Sequence, residues 1–277
     1  MNIWEKFGAM DRRWVYLMVA LAVIFPIVVP FELPIAVTPE AQQLYDAIEA
    51  LPDGSVVMLT FDYYASTLAE TMPMSVAALH QLFRKDCKVV TMTTIPLGGP
   101  TIAEQVTADM AAQYGKVYGV DYVNLGYKAN YTAVLLGMGT SIETIYPADN
   151  RGTKLADLPL MQQVKNYNDI DFIFVVADNG IIDNWISIVN AQFEKPVGAG
   201  VTAVMAPKMF SFVESGQMTG LLGGMRGAAE YEALVNHPDL AVLGMNAQSL
   251  VHILIIVLIV LGNIAYFTTR KQGQKPV

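Results

Sequence analysis

Apolar runs alternate with segments of helical periodicity along the middle of the chain. Five runs are short, apolar and rich in β-branched or aromatic residues, and they read SVVMLTFDYY, CKVVTMTTI, DYVNLGY, DFIFVVAD and PVGAGVTAVMA. Their length and composition predict buried strands, and helical segments separate them. Strands that alternate with helices predict βαβ units and a mostly parallel sheet covered on both faces. We therefore expect one Rossmann-like α/β domain over residues 37–240.

Two longer apolar stretches flank this domain. Residues 14–31 and 250–267 contain no Asp, Glu, Lys or Arg, and with their flanks each reaches the roughly 20 residues that cross a bilayer as a helix. The pattern predicts one transmembrane helix at each end, over residues 14–36 and 241–268. A buried core helix is the alternative for either stretch, and a cleaved signal peptide is a further alternative for the first.

Three prolines and one glutamate interrupt the first stretch. Pro26, Pro30 and Pro34 are spaced four residues apart and each lacks a backbone donor, so we expect the helix to kink or end near them. Glu32 lies between the last two prolines and would be costly in the middle of a membrane. We therefore expect Glu32 to mark the outer interface.

Basic residues concentrate in the two short tails, residues 1–13 and 269–277. The tails hold six of the 17 Lys and Arg residues, namely Lys6, Arg12, Arg13, Arg270, Lys271 and Lys275. Short segments that carry Lys and Arg stay on the cytoplasmic side of a membrane. Both termini are therefore expected in the cytoplasm, with the central domain on the opposite side of the lipid bilayer.

Charge and residue types argue against several classes of function. The net charge is −8, and no basic stripe lies outside the tails, so a nucleic-acid partner is not expected. The single cysteine, Cys87, opens an apolar run and is expected to be a buried, inert thiol. His80, His237 and His252 share no metal-ligand spacing, so no metal site is predicted.

The familiar cofactor and catalytic motifs are missing from the sequence. There is no GxGxxG after the first strand and no GxxxxGK[ST], so nothing supports a nucleotide cofactor. There is also no GxSxG, no HExxH and no Ser/His/Asp arrangement. We therefore predict neither a cofactor nor a catalytic residue.

Polar residues that follow the predicted strands form the candidate ligand site. In open α/β sheets, ligands bind beyond the carboxyl ends of the strands, where the strand order reverses. The candidates are Asp62, Tyr63, Thr93, Thr94, Asp178, Asn179 and Lys208. The alternative is that Asp and Asn at strand ends form Asx turns or cap the next helix. After the first strand, Thr67 and Glu70 fit a capping-box sequence, although Pro73 indicates a later helix start.

A glycine cluster before the last helix of the domain is a second candidate. Gly223 and Gly224 precede this helix, and Arg226 lies in its first turn. Such an arrangement could cradle an anion at the helix N-terminus. The alternative is that the glycines permit a tight turn or close packing between segments of the chain.

Three segments, residues 61–83, 121–142 and 198–235, carry a family resemblance. Together with the placement of both apolar stretches, they resemble a family of uncharacterised bacterial two-pass membrane proteins with a Rossmann-like extracytoplasmic domain. The resemblance implies a location in the bacterial cytoplasmic (inner) membrane, and it implies no reaction, ligand or catalytic residue. Such sequences often have an acidic residue after FDY, where this chain has Tyr64. This departure weakens a metal or acid–base role for that loop.

Three functions are compatible with these features. The leading hypothesis is a non-enzymatic, membrane-anchored subunit of a homo-oligomer or of a complex with other membrane proteins, with MFSFVESGQMTGLLGG as an apolar assembly surface. The alternative is a module that binds a small polar or anionic solute at Asp62, Thr94, Asp178 and Lys208. The second alternative is a hydrolase or transferase that uses Asp62 and Asp178 as paired carboxylates. An enzyme is least expected, because no catalytic constellation is present.

Overall fold

Six parallel strands form one sheet that is flanked by helices. The computed structural model describes residues 3–29, 31 and 33–270. The strands are β1 (Val56–Asp62), β2 (Lys88–Thr93), β3 (Tyr122–Tyr127), β4 (Phe172–Ala177), β5 (Val197–Val201) and β6 (Leu221–Gly223). Their order across the sheet is β3-β2-β1-β4-β5-β6, which is the Rossmann order. The predicted α/β class with a parallel sheet is confirmed.

Helices connect all the strands. They are α1 (Ile3–Gly8), α2 (Arg12–Val28), α3 (Pro39–Glu49), α4 (Leu68–Arg84), α5 (Gly99–Gln113), α6 (Tyr131–Met138), α7 (Ile142–Ile145), α8 (Pro159–Gln163), α9 (Ile181–Asn184), α10 (Ala191–Phe193), α11 (Ala206–Glu214), α12 (Gly224–Leu234) and α13 (Leu240–Arg270). A π-helical section, Trp185–Asn190, joins α9 to α10. Because helices follow the strands, each connection returns the chain to start the next parallel strand.

Continuous apolar sequence places β1 and β4 at the centre of the sheet. All six residues of β4 and all but the first residue of β1 are buried, and the two strands pair with each other. A strand that is covered on both faces needs apolar side chains in both directions. This requirement explains why the runs SVVMLTFDYY and DFIFVVAD could be recognised as strands without alternation.

The short edge strand β6 was not predicted. Its residues Leu221 and Leu222 are buried, and it pairs with β5 through Ala199, Gly200 and Val201. Glycines on both sides of this leucine pair resemble a turn, which conceals a strand of only three residues.

The two faces of the sheet carry different helices. Successive side chains of a strand point to opposite faces, so Met58 of β1 lies on one face and Tyr63, just beyond the strand, on the other. Met58 belongs to the apolar core that includes Leu135 of α6 and Trp185. The hydroxyl of Tyr63 contacts Ser75 Oγ of α4 at 3.1 Å on the other face.

Helix α4 begins earlier than the sequence pattern predicts. It contains Pro73, and Thr67 at its start makes no capping hydrogen bond. The Thr67 hydroxyl instead donates to Asp178 Oδ2 at 2.7 Å, and Glu70 accepts from the Ala203 N–H at 2.8 Å. The predicted capping box is therefore wrong, because both side chains bind loops that follow other strands. The predicted later start is also wrong, because α4 begins at Leu68.

One helix among the described residues is long and apolar enough to cross a membrane. It covers Leu240–Thr269, with a mean hydropathy of 2.6, and 6% of its apolar window is buried. At roughly 1.5 Å per residue this length exceeds a hydrocarbon core of about 30 Å. The terminal segments form one compact unit, and residues 35–241 form another.

The N-terminal apolar helix is shorter than predicted. α2 has 17 residues, or about 26 Å, and residues 33–38 are not helical. Pro26 lies in the helix, which ends two residues later, as expected of this proline-containing stretch. One continuous helix over residues 14–36 is therefore wrong. The predictions on Pro30, Glu32, Lys271 and Lys275 fall outside the described residues.

Candidate functional site

A cleft opens at the carboxyl ends of the strands, where β1 and β4 lie side by side. The chain continues from β1 to β2 on one side and from β4 to β5 on the other, so this is the switch point at which ligands bind in such sheets. The cavity volume is about 350 Å³, which suits a small solute. The lining residues are Tyr64, Thr94, Ile95, Tyr131, Asn179, Gly180 and Ile181.

Asp62, the last residue of β1, lies directly behind the Thr94 wall of this cleft. Its side chain is 0% exposed, and Oδ1 accepts hydrogen bonds from the Thr94 backbone N–H at 2.5 Å and the Thr94 hydroxyl at 2.8 Å. The second oxygen, Oδ2, is buried without a hydrogen-bond partner. An unpaired buried carboxyl oxygen is costly for folding, so Asp62 is a functional candidate.

Two further polar side chains surround the Asp62 carboxyl. The Thr60 hydroxyl and the Trp185 indole N–H lie close enough to lower its pKa, yet neither forms a hydrogen bond of standard geometry, and both are buried without a partner. Neighbouring buried polar groups that all lack a hydrogen-bond partner are rare in folded proteins. The three groups therefore form an incompletely satisfied polar cluster behind the cleft.

The π-helical section explains how Trp185 reaches this position. Trp185 is its first residue and has the largest of the fully buried side chains in the described part of the chain. A π-helical turn inserts an extra residue into a helix and is frequent at functional sites. The hydrophobic pattern of the sequence does not predict this π-helical turn, because the segment WISIVN is apolar like the helix around it.

Asp178, which follows β4, accepts hydrogen bonds from the loop after β1. Its Oδ2 accepts from the Tyr64 N–H at 2.8 Å and from the Thr67 hydroxyl at 2.7 Å, and its Oδ1 accepts from the Asn179 amide at 3.2 Å. Both carboxylate oxygens are therefore engaged within the protein. Asp178 positions Tyr64 at the cleft and does not line the cleft itself.

Asn179 combines the two predicted roles of a strand-end residue. Its Oδ1 accepts from the Ile181 N–H at 3.0 Å, which is the Asx-turn arrangement, while its amide donates to the Asp62 carbonyl at 2.8 Å. It also lines the cleft. Thr94 and Asn179 are thus the two predicted site residues that the structure brings to the cleft wall.

Three other predicted site residues lie elsewhere. Tyr63 is buried on the opposite face of the sheet, since its side chain alternates with that of Asp62. The Thr93 hydroxyl is buried and donates to the Phe61 carbonyl at 2.7 Å. Lys208 lies in α11 and forms an exposed ion pair with Asp183, because β5 ends seven residues before it.

The glycine cluster serves close packing. A Cβ on Gly223 would lie 2.9 Å from the Ala206 Cβ, and one on Gly224 would lie 2.7 Å from the Ala203 Cβ. Arg226 is exposed, and its Nε donates to Glu230 Oε1 at 2.8 Å. These contacts favour the alternative of close packing, since the glycines let α12 approach the neighbouring loop and the arginine pairs within its own helix. The anion site at Gly223, Gly224 and Arg226 stays a prediction.

Several cleft residues were not predicted. Tyr131 starts α6, while Ile95, Gly180 and Ile181 lie in the connections after β2 and β4. Tyr131 follows Asn130, which caps α6 in a left-handed conformation with φ of 64°. An Asn before an apolar helix was the available signal that this segment turns at the carboxyl edge of the sheet.

His80, His237 and Cys87 are not among the residues that line the cleft. The rings of His80 and His237 stack at 4.3 Å, and the Tyr114 hydroxyl hydrogen-bonds to His80. Among the residues that the structure describes, no group of three or more His, Cys, Asp or Glu side chains could hold a metal ion. Cys87 is buried, and burial raises the pKa of its thiol to about 11.

A second cavity of about 350 Å³ lies beyond β3. Lys128, Tyr146 and Asp149 contribute to its lining. The Lys128 ammonium donates to the Ile145 carbonyl at 2.5 Å, while Asp149 Oδ2 accepts from the Tyr118 hydroxyl at 2.6 Å. Both charged groups of this cavity therefore have partners within the protein.

Protonation of Asp62 should make the stability of the protein depend on pH. Burial raises the pKa of this carboxyl above the ordinary 3.8, and the Thr94 hydrogen bonds offset part of the rise. The folded state then binds the proton more tightly, so the stabilisation is fully present below the unfolded value and is lost as pH rises through the raised pKa. Burial also raises the pKa values of Tyr63 and Tyr146, so neither tyrosine ionises in this window.

The test is urea denaturation of the full chain in detergent at a series of pH values. We expect Asp62 to contribute a decrease in the free energy of unfolding as pH rises above its ordinary pKa of 3.8, and Asp62→Asn to remove this contribution. Asp109→Asn, at an exposed position in α5, is the matched control and should keep the decrease. An equal decrease in the Asp62→Asn chain would contradict the assignment.

The fold and this cleft define an α/β domain of Rossmann topology with a solute-sized cavity at its switch point. Comparisons with protein families, with curated proteins and with solved structures found no match to the chain. Its function must therefore be inferred from its own residues.

Proposed function

We propose that the chain is a non-enzymatic, membrane-anchored module that binds a small polar solute in the switch-point cleft. The observation that carries this proposal is the buried Asp62 carboxyl, which has one unpaired oxygen and lies behind Thr94 of the cleft wall. Proteins pair their buried polar groups unless a ligand or a function uses them. A cavity of about 350 Å³ beside such a group supports solute binding.

The membrane anchor is part of the proposal. The apolar α13 supports one crossing, and basic residues near both ends support a two-pass topology in which both termini are cytoplasmic and the domain is extracytoplasmic. The family resemblance supports the bacterial cytoplasmic membrane as the location. A shorter helix such as α2 can cross a membrane if its flanking residues reach the interface or the bilayer thins locally.

The anchor is tested by fractionation and by protease accessibility. We expect the chain to stay in the membrane pellet after a carbonate wash, since burial of α13 in hydrocarbon does not depend on charge. Protease added to intact spheroplasts should degrade the central domain. Release by carbonate would refute the anchor, and a protected domain would refute the proposed orientation.

Solute binding is tested by a thermal-shift screen of the full chain in mild detergent. The panel should contain cationic, neutral and anionic metabolites at millimolar concentration. A solute at one hundred times its Kd stabilises the folded state by about 2.7 kcal/mol, so we expect a clear rise in unfolding temperature for at least one class. Thr94→Val should reduce the rise to about half, because a tenfold weaker affinity leaves about 1.4 kcal/mol of stabilisation at the same solute concentration. Thr101→Val, at an exposed position of α5, should retain the full rise. A panel without any shift would count against the proposal.

Assembly into a membrane complex is the second candidate. Its support is the exposure of two apolar side chains after β5, since Val204 is 90% and Phe210 39% exposed. The wider segment MFSFVESGQMTGLLGG is not one apolar surface, because Met209, Met218 and its leucines are buried. Native mass analysis should then show an oligomer that Val204→Ser weakens, and a clean monomer would refute this candidate.

Paired-carboxylate catalysis has no specific observation in its favour. Asp178 binds Tyr64, Thr67 and Asn179 with both oxygens. Asp62 is separated from the cleft by Thr94. A general base must reach the proton that it abstracts, and neither carboxylate lines the cavity.

A further inference from the structure

We infer that the cleft recognises the ammonium group of a small primary amine. The inference deepens the proposed solute binding and rests on it. It follows from the hydrogen-bonding capacity of the cleft wall, from the charges behind that wall, and from two tyrosines in the lining. Of the small polar or anionic solutes that the sequence allows, it selects a cationic one, since Lys208 pairs with Asp183 and does not line the cleft.

The polar atoms at the back of the cleft offer acceptors. The Thr94 hydroxyl has a single proton, and it donates that proton to Asp62 Oδ1 at 2.8 Å. Only the lone pairs of the Thr94 hydroxyl oxygen are then free to bind a ligand. A group that binds Thr94 must therefore donate a hydrogen bond.

Asn179 presents the same preference. Its amide nitrogen donates to the Asp62 carbonyl at 2.8 Å and to Asp178 Oδ1 at 3.2 Å, which occupies both of its protons. Its carbonyl oxygen accepts one bond from Ile181 and keeps a second lone pair. Thr94 and Asn179 together form an acceptor pair on the cleft wall.

The two ionisable groups directly behind the cleft wall are both carboxyls. The Asp62 carboxyl lies behind Thr94, and the Asp178 carboxylate lies behind Tyr64 and Asn179. None of the residues that line the cleft is Lys or Arg, and the Lys208 ammonium pairs with Asp183. A low-dielectric wall with two carboxyls behind it attracts a cation and repels an anion.

Two half-exposed tyrosines complete the site. Tyr64 and Tyr131 both line the cleft, and each is 44% exposed. Phenol rings attract cations through their π faces, so they favour the same kind of ligand as the acceptor pair. The volume of about 350 Å³ is at the lower end for ligand pockets and restricts the amine to a small one.

Asp62 acts through Thr94 and is a positioning residue. An ammonium N–H that binds the Thr94 oxygen extends the chain of hydrogen bonds to the carboxylate, and each bond in such a chain polarises the next. The buried, unpaired state of Oδ2 keeps the carboxyl poorly solvated. Above the raised pKa of this carboxyl, its negative charge is therefore felt more strongly at Thr94 than the charge of a hydrated carboxylate would be.

Four probes of similar size separate the contribution of the ligand's charge from that of its hydrogen-bond donors. Butylammonium carries a charge and N–H donors, tetramethylammonium carries a charge without donors, butanol is a neutral donor, and butyrate is an anion. Binding is measured with the full chain in detergent by the fluorescence of Trp185 after Trp4→Phe and Trp14→Phe, which leave one tryptophan in the sequence. We expect butylammonium to bind about tenfold more tightly than butanol, because its donor is charged, and butyrate not to bind.

Variants test the path through Thr94. Thr94→Val should weaken butylammonium and butanol alike by about tenfold, since both lose their acceptor, and Thr94→Ser should restore binding. Asp62→Asn should weaken butylammonium by about tenfold and leave butanol unchanged, because it removes charge and keeps shape. Asp109→Asn is the matched control for a change in net charge and should leave all affinities unchanged.

The outcomes distinguish the inference from the function on which it rests. Butyrate or inorganic phosphate binding as tightly as butylammonium would overturn the amine and leave solute binding in place. The same holds if none of the four probes binds while another solute shifts the unfolding temperature in a Thr94-dependent way. If no solute of either panel binds, both proposals fail.

Discussion

Replacing Gly220 by alanine is expected to lower the free energy of unfolding by about 3 kcal/mol, which is at the upper end for overpacking a core. A Cβ at this position would lie 2.6 Å from both the Glu40 carbonyl oxygen and the Leu44 nitrogen of α3. These are backbone atoms of a helix, so they cannot turn aside as a flexible side chain would. Helix α3 would have to move away from the edge of the sheet. Urea denaturation of the full chain in detergent, followed by circular dichroism, measures the loss.

Gly180→Ala is the control for this substitution. Gly180 has an ordinary φ of −70°, and an added Cβ would meet only Asp183 Oδ2, at 4.0 Å. We expect a change of about 1 kcal/mol or less, from the altered helix N-cap. If both variants lost the same stability, close packing of α3 on Gly220 would not be the reason.

Trp185→Ala is expected to cost about 3 to 5 kcal/mol, the range for removing a large buried aromatic side chain. Trp185 is 0% exposed and packs in the core between the sheet and the helices that follow β4. Its removal would leave a cavity next to the Asp62 carboxyl. Such a loss is a large fraction of the 5 to 15 kcal/mol that stabilises a typical domain. The midpoint of urea denaturation measures it, with circular dichroism as the signal.

Trp185→Phe separates packing from the indole N–H. Phenylalanine keeps most of the ring volume and lacks the donor, which has no hydrogen-bond partner in the folded protein. We expect a clearly smaller loss than for alanine. An equal loss would mean that the indole N–H, rather than the filled volume, stabilises this region.

The positions of most strands were predictable from the sequence, because a strand buried on both faces must be apolar throughout. β1 and β4 met this condition. β6 was not predicted, because only Leu221 and Leu222 distinguish it from the surrounding glycines. The extent of β5 was overestimated, since apolar VTAVMA continues into a turn and then into α11, and this error placed Lys208 at a strand end.

The candidate site was predictable as an edge of the sheet and less so as individual side chains. The rule on strand ends identified Asp62, Thr94 and Asn179, all of which belong to the cleft or lie just behind it. It also selected Tyr63, although the two-residue period of a strand already places that side chain on the other face. Trp185 could not be found in this way, because its position depends on a π-helical turn and on how the helix packs against the sheet.

The proposed site is tested most directly by amide hydrogen exchange of the full chain in detergent, with and without the tightest-binding solute of the screen. Binding in the cleft predicts slower exchange in the connections after β2 and β4, which contain Thr94, Ile95, Gly180 and Ile181. The strands are buried and hydrogen-bonded to each other, so we expect their exchange to be slow with and without the solute. Unchanged exchange in both connections, or slower exchange confined to the second cavity around Lys128 and Asp149, would contradict the account.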